Sequence, residues 1–125
     1  MHGILAGAYD QWTRGNIDGF LEVFPDDAVF VVPGSTRLSG DHDKKSFRLV
    51  LNEVVQATKE GRHRQELVCS YEGPSGTIVV FDTFVSIEGA EEKYHSAHEW
   101  ILREGVPQVW MLYIHEYELF GRVWG

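Results

Sequence analysis

The chain has 125 residues, 43% hydrophobic and 24% charged, which suits one compact domain around a single core. Its net charge of −8 argues against a surface that grips nucleic-acid phosphates, and no apolar run approaches the about 20 residues that span a bilayer. The lone Cys69 excludes an internal disulfide and any multi-cysteine zinc site and suits a reducing cytoplasm. No charged segment followed by an apolar one opens the chain, so no signal peptide is expected.

In chain order, Ile4, Leu5, Ala8, Tyr9 and Trp12 recur on one helical face. Gly15-Asn16 ends that helix, because glycine accepts the left-handed cap conformation. Asp18 then caps a short helix carrying Phe20, Leu21 and Phe24, which Pro25-Asp26-Asp27 breaks. Ala28 to Val32 reads as a buried strand, Pro33-Gly34 as a turn, and Leu38 to Gly40 as a second short strand. Asp43 caps a helix from about Lys44 to Lys59, with Phe47, Val50, Leu51, Val54 and Val55 facing inward.

After Gly61 the pattern changes to strands at Arg64–Glu72, Thr77–Ile87, Tyr94–Arg103 and Gln108–Tyr117. The turns between them fall at Gly73–Gly76, Gly89–Glu92 and Glu104-Gly105. Helices first and a meander after predict an α+β domain over residues 1–125, with helices packed on one face of a curved antiparallel sheet. Arg62-His63-Arg64, the only basic cluster, reads as a solvated loop, as does His2 at the terminus.

Three stretches carry a family resemblance: "AYDQWTRGNIDGFLEVFPDDAVFVVPG", "LSGDHDKKSF" and "WILREGVPQVWMLYIHEYELFGRVWG". Together they resemble the SnoaL-like branch of the nuclear transport factor two-like superfamily, over nearly the whole chain. The resemblance implies a cone, in which a curved sheet wraps about three N-terminal helices and encloses one apolar pocket with a few polar groups deep inside. Homodimers are common in that superfamily, which hosts polyketide cyclases, isomerases, epoxide hydrolases, dehydratases and non-catalytic binding domains. "WMLYIH" is similar to a Trp-x-x-Tyr-x-Asp pattern, with His115 where the pocket acid is expected. "VVFDTF" offers Asp82 but places Val80 where an epoxide hydrolase needs arginine, so that reaction is the less expected one. His42 stands where the resemblance implies a pocket-rim aromatic or histidine.

Side chains alternate across a strand, so the turns decide what shares the pocket. A two-residue Glu104-Gly105 turn groups Tyr94, Ser96, His98 and Trp100 with Met111, Tyr113 and His115. A four-residue Gly89–Glu92 turn adds Asp82 beside His98 as a carboxylate–imidazole dyad. Trp12, Tyr9, Phe20 and Phe24 would line the pocket from the helices. His98 and His115 lie about 13 Å apart along the face at strand rise, too far to share a metal, and no metal or other cofactor is expected.

The expected function is proton movement, without a cofactor, on a small apolar carbonyl-bearing molecule: isomerisation, aldol-type cyclisation or dehydration. His115 would be the base, or His98 backed by Asp82, with Tyr113 and Tyr94 donating to an enolate-like oxygen. The alternative is a small-molecule-binding or scaffold domain that does no chemistry. Val79, Phe81, Val85, Leu112 and Ile114 are expected on the outer face of the sheet, where they would hold a homodimer together.

Overall fold

The computed structural model describes residues 3–125; His2 lies outside the described residues. The elements are α1 (Gly3–Thr13), α2 (Ile17–Leu21), β1 (Val29–Val32), β2 (Gly40–His42), α3 (Lys44–Lys59), β3 (His63–Gly73), β4 (Gly76–Ile87), β5 (Ala90–Arg103), β6 (Val106–Ile114) and α4 (Tyr117–Trp124). One curved six-stranded sheet runs in the order β2-β1-β6-β5-β4-β3 and does not close into a barrel. β1 lies parallel to β6; every other neighbouring pair is antiparallel.

Local chemistry fixes the helix starts. Asp43 accepts the Ser46 amide at 2.8 Å and begins α3. The cap of α2 is Asn16, which accepts the Gly19 amide at 3.1 Å. Asp18, the expected cap, lies instead in the first turn of α2 and ion-pairs with Arg48 of α3. The last strand is shorter than expected. It stops at Ile114, and Glu116 begins α4, whose buried Phe120 and Trp124 are four residues apart on one face.

Two hairpins set the register of the sheet. Glu88 (φ 52°) and Gly89 (φ 83°) join β4 to β5, and Glu104 (φ 53°) and Gly105 (φ 79°) join β5 to β6. Positive φ at both central residues is the signature of the two-residue turn that matches strand twist. The first turn is therefore two residues long and not four, and Asp82 pairs with His95 rather than falling beside His98.

The second hairpin begins as expected, with Arg103 opposite Val106 and Leu102 opposite Pro107. Then the pairing shifts, and Ile101 faces Val109 with Gln108 left over as a bulge. Every later side chain of β6 changes face. Trp110, Leu112 and Ile114 turn inward, and Met111, Tyr113 and His115 turn outward.

The core lies between the inner face of the sheet and helices α1 to α3. Trp100 and Phe30 are fully buried; Phe24 stacks on Trp100 at 4.8 Å between centroids, and Phe30 on Phe47 at 4.4 Å. Val79, Phe81, Val85 and Ile114 are buried in this core and Leu112 packs against it, so the expected dimer patch does not exist on the outer face. No helix among the described residues is long and apolar enough to cross a membrane.

Candidate functional site

The inner face encloses a cavity of about 70 Å³. Its walls come from α1 and α2 (Tyr9, Trp12, Phe20), α3, the sheet (His63, Gln65, Thr83, Tyr94, Ser96, His98, Trp110) and α4 (Phe120, Trp124). No Asp, Glu, Lys or Arg lines it. Its polar groups are two imidazoles, a carboxamide, two hydroxyls that bond each other (Thr83 and Ser96, 3.1 Å) and tyrosine and tryptophan tips.

The expected site residues divide in two. Tyr9, Trp12, Phe20, Tyr94 and His98 line the cavity. Phe24 and Trp100 are buried behind it, stacked on each other in the core. His42 is held at the β2–α3 junction, bonded to Ser46 Oγ at 2.6 Å and the Leu38 carbonyl at 2.8 Å, and does not reach the cavity. His115 is 83% exposed on the outer face, so it cannot act inside the cone. Met111 and Tyr113 share that outer face, turned there by the Gln108 bulge, and Asp82 shares it as the partner of His95. Tyr113 donates to Glu99 at 2.8 Å, which raises its pKa.

His63, expected in solvent, is instead buried opposite Val85, at the first position of β3. Counted back from the Gly73–Gly76 turn, His63 would fall opposite Ser86 on the outer face; a bulge at Val68 shifts the register and turns His63 and Gln65 inward. Burial takes His63 down to about 4. Burial, and then the neighbouring His63, take His98 down to about 3. Both imidazoles are therefore neutral at pH 7. Burial pushes Tyr94 up to about 12 against an opposing bond from Trp124, and raises Tyr9 further against the indole N–H groups of Trp100 and Trp110. Trp110 Nε1 itself makes no hydrogen bond of sound geometry.

The hydrogen-bond network assigns a tautomer to each imidazole. Trp100 Nε1 donates to the Tyr9 hydroxyl oxygen at 2.7 Å. The single Tyr9 proton is then free for His98 Nδ1 at 2.8 Å, because an indole N–H cannot accept it. His98 thus carries its own proton on Nε2, which makes no hydrogen bond among the described residues. The opposite logic holds at His63. Thr58 Oγ1 lies 2.9 Å from the Val54 carbonyl and 3.0 Å from His63 Nδ1; with its proton on the carbonyl, it accepts from His63 Nδ1. His63 Nε2 is left as a lone pair. One cavity therefore holds a neutral imidazole donor and a neutral imidazole acceptor.

Access lies beside α1. A larger groove of about 540 Å³ runs between the ends of α1 and α3 and the first half of β3, and shares Tyr9, Trp12, His63 and Gln65 with the cavity. Trp12 Nε1 donates to Gln65 Oε1 at 3.1 Å and bridges α1 to β3 at this shared wall. The interior alone is smaller than the about 150 Å³ that accepts benzene, so a ligand of that size requires the Trp12–Gln65 wall to move aside.

On the outer face, His95 donates to Glu116 from its backbone amide at 2.6 Å and from Nδ1 at 2.5 Å. His115 Nδ1 lies 3.3 Å from the same carboxylate. Partial desolvation would raise the Glu116 pKa, but the His95 amide, both imidazoles and the His95 charge outweigh it and hold the group down at about 2.

No family model matches the chain, and no curated protein matches it by sequence. Solved structures do match. Bal32a, from a soil-derived mobile gene cassette, superposes with a TM-score of 0.84 over 98% of this chain and 94% of its own, at 14% identity. TerC, co-crystallised with polyporic acid, gives 0.77 over 96% and 95%, at 18% identity. An NTF2-like protein of unknown function from Burkholderia pseudomallei gives 0.75 over 98% and 95%, at 13% identity. A candidate polyketide cyclase from Xanthomonas campestris gives 0.68 over 97% and 94%, at 15% identity. At these identities the likeness establishes the NTF2-like fold and leaves the reaction open.

Proposed function

From an NTF2-like cone with a carboxylate-free interior, we propose that this chain takes up a small apolar molecule bearing a carbonyl oxygen and moves a proton on it without a cofactor. The opposed tautomers of His98 and His63 carry this reading. His98 Nε2–H is suited to donate to the carbonyl oxygen as it gains enolate charge, and the His63 Nε2 lone pair is suited to take the proton from the adjacent carbon. Tyr9 holds His98 in its tautomer, and Thr58 does the same for His63. The proton His63 accepts can return to a different carbon, which is isomerisation, or pass to a β-hydroxyl as its carbon–oxygen bond breaks and water leaves, which is dehydration.

The test needs no knowledge of the natural substrate. Small cyclic ketones such as cyclopentanone, incubated with the protein in D₂O, should lose their α-protons faster than in buffer. His63→Gln and His98→Gln should each reduce that exchange by about 10²- to 10⁴-fold. Exchange that persists unchanged in both variants would remove the two imidazoles from the chemistry.

The low basicity of both groups favours one other reading. With His98 at about 3 and His63 at about 4, the same donor and acceptor can hold a ligand without reacting with it. Ketone binding with no exchange above buffer would select this binding-domain function.

A homodimer belongs to the same proposal, through the outer face as expected but by other residues than the buried Val79, Phe81, Val85, Leu112 and Ile114. Tyr71, Ile78 and Met111 fall in one row of the outer face with Glu99 among them, flanked by the row of Val80 on one side and that of Ile101 and Val109 on the other. Tyr71 is 65% exposed and Ile78 40%, which offers an apolar surface to a second copy of the chain. Sedimentation at twice the 14.3 kDa chain mass would support this, and the single chain mass at micromolar concentration would exclude it.

A further inference from the structure

The geometry points to a second site, independent of the cavity: we propose that His95, His115 and Glu116 bind one divalent transition-metal ion of the zinc type on the outer face of the sheet.

Three observations carry the proposal. The donor set is two imidazoles and one carboxylate, a combination suited to borderline metals such as Zn²⁺, with water completing the shell. The donor atoms already converge, since a ring nitrogen of His95, one of His115 and a Glu116 oxygen lie within 4.8 Å of one another. In a tetrahedral site with bonds of about 2.0–2.1 Å, neighbouring donors stand about 3.3 Å apart. The His115–Glu116 separation is 3.3 Å and the His95–Glu116 separation is a hydrogen bond of 2.5 Å, so the ion needs that hydrogen bond to open and the two imidazoles, within 4.8 Å of each other, to settle at the same spacing.

The third observation is the support behind the donors. The His95 amide fixes one Glu116 oxygen, and the His115 amide donates to the His95 carbonyl at 3.0 Å, so the backbone holds the two segments together without an ion. Asp82 Oδ1 sits 3.8 Å from His95 Nε2, on the far side of the ring. When Nδ1 takes the metal, the ring proton moves to Nε2 and faces that carboxylate, the usual partner of a metal-bound histidine. Lys93 stands 3.9 Å from Asp82 and is the cation facing this cluster; the net charge of −8 favours cation approach overall.

The donors come from β5 (His95) and from the two-residue link between β6 and α4 (His115 and Glu116, the N-cap of α4). A bound ion would staple the sheet to α4, whose Phe120 and Trp124 close the cavity. Binding to the folded chain alone raises its stability by mass action.

The test is a calorimetric titration of the tag-free full chain with ZnCl₂, run beside a thermal melt. One equivalent should bind with a micromolar dissociation constant, and Tm should rise by several degrees at saturation. His115→Ala and His95→Gln should each weaken binding at least 10-fold and abolish the Tm shift. Asp82→Asn should weaken it about 10-fold. His42→Gln, a control remote from the cluster, should change neither value. NMR shifts on adding zinc should centre on residues 95, 115 and 116. No heat and no shift at 100 µM ZnCl₂, or binding that survives both histidine variants, would overturn the proposal.

Discussion

Inside the cone, His63 and His98 meet no carboxylate among the described residues, and burial, with His63 adding to it at His98, keeps them neutral. On the outer face, His95 and His115 converge on Glu116, with Asp82 behind. His98 and His95 are three residues apart on one strand, so parity sends them to opposite environments. The difference teaches that function here follows the face of the sheet more than the residue type. Buried imidazoles hold fixed tautomers and so have directional hydrogen bonds to offer a ligand. Exposed ones with acidic partners offer lone pairs to a cation.

The largest effect that separates the faces is one of packing. Trp100→Ala removes a fully buried indole that contacts Phe24, Tyr9 and Phe20 and donates to Tyr9. It should cost about 3–5 kcal/mol in urea unfolding. Tyr113→Ala on the outer face should stay within about 0.5 kcal/mol. A cost well above that at Tyr113 would mark its burial against the proposed second copy of the chain.

Acid should act on the inner pair first. The folded-state pKa values of His63 and His98 lie below the ordinary 6.5, so the unfolded chain binds more protons at intermediate pH. Their contribution is fully present above pH 6.5 and is lost as pH falls toward 4 for His63 and 3 for His98. Each should add a slope of about 1.4 kcal/mol per pH unit in that window. Glu116 behaves as a depressed carboxylate: its contribution is present above 4.5 and disappears only as pH falls through about 2. Denaturant melts of wild type and His98→Phe from pH 7 to 4 would resolve the inner term, since the variant should lose one of the two slopes.

Much of this comparison was legible in the chain and part was not. Asp43 and the periodicity of Phe47, Val50 and Leu51 specified α3, and Gly15 marked the end of α1 where its φ of 75° requires glycine. The helices-then-meander order specified the layered fold. The faces of β6 failed because a single extra residue, Gln108, reverses all side chains beyond it. A signal was present: Pro107 cannot donate to a ladder, and a proline within a central strand marks a bulge. The Glu88-Gly89 and Glu104-Gly105 pairs look alike and form alike, yet only the second was read as a two-residue turn. The inward turn of His63 is not legible in the chain, because a short basic cluster suggests solvent and only the unsignalled bulge at Val68 brings that residue opposite Val85.

Smaller effects sharpen the inner network. Tyr9→Phe leaves Trp100 Nε1 and His98 Nδ1 without a partner and should cost about 1–3 kcal/mol, measured by urea unfolding. Gln65→Ala removes only the partly buried Trp12 bond and should cost about 1 kcal/mol or less. It should also speed cyclopentanone association a few-fold by stopped-flow tryptophan fluorescence, and unchanged rates would place the entrance elsewhere.

The most direct test of the inner site is a long-range ¹H–¹⁵N spectrum of the histidine side chains at pH 7, followed by titration to pH 5. The structure requires His98 to be protonated on Nε2 and His63 on Nδ1, with neither ring becoming charged over that range. Matching tautomers on the two rings, or a midpoint near 6.5 for His98, would contradict the donor–acceptor pair on which the proposed function stands.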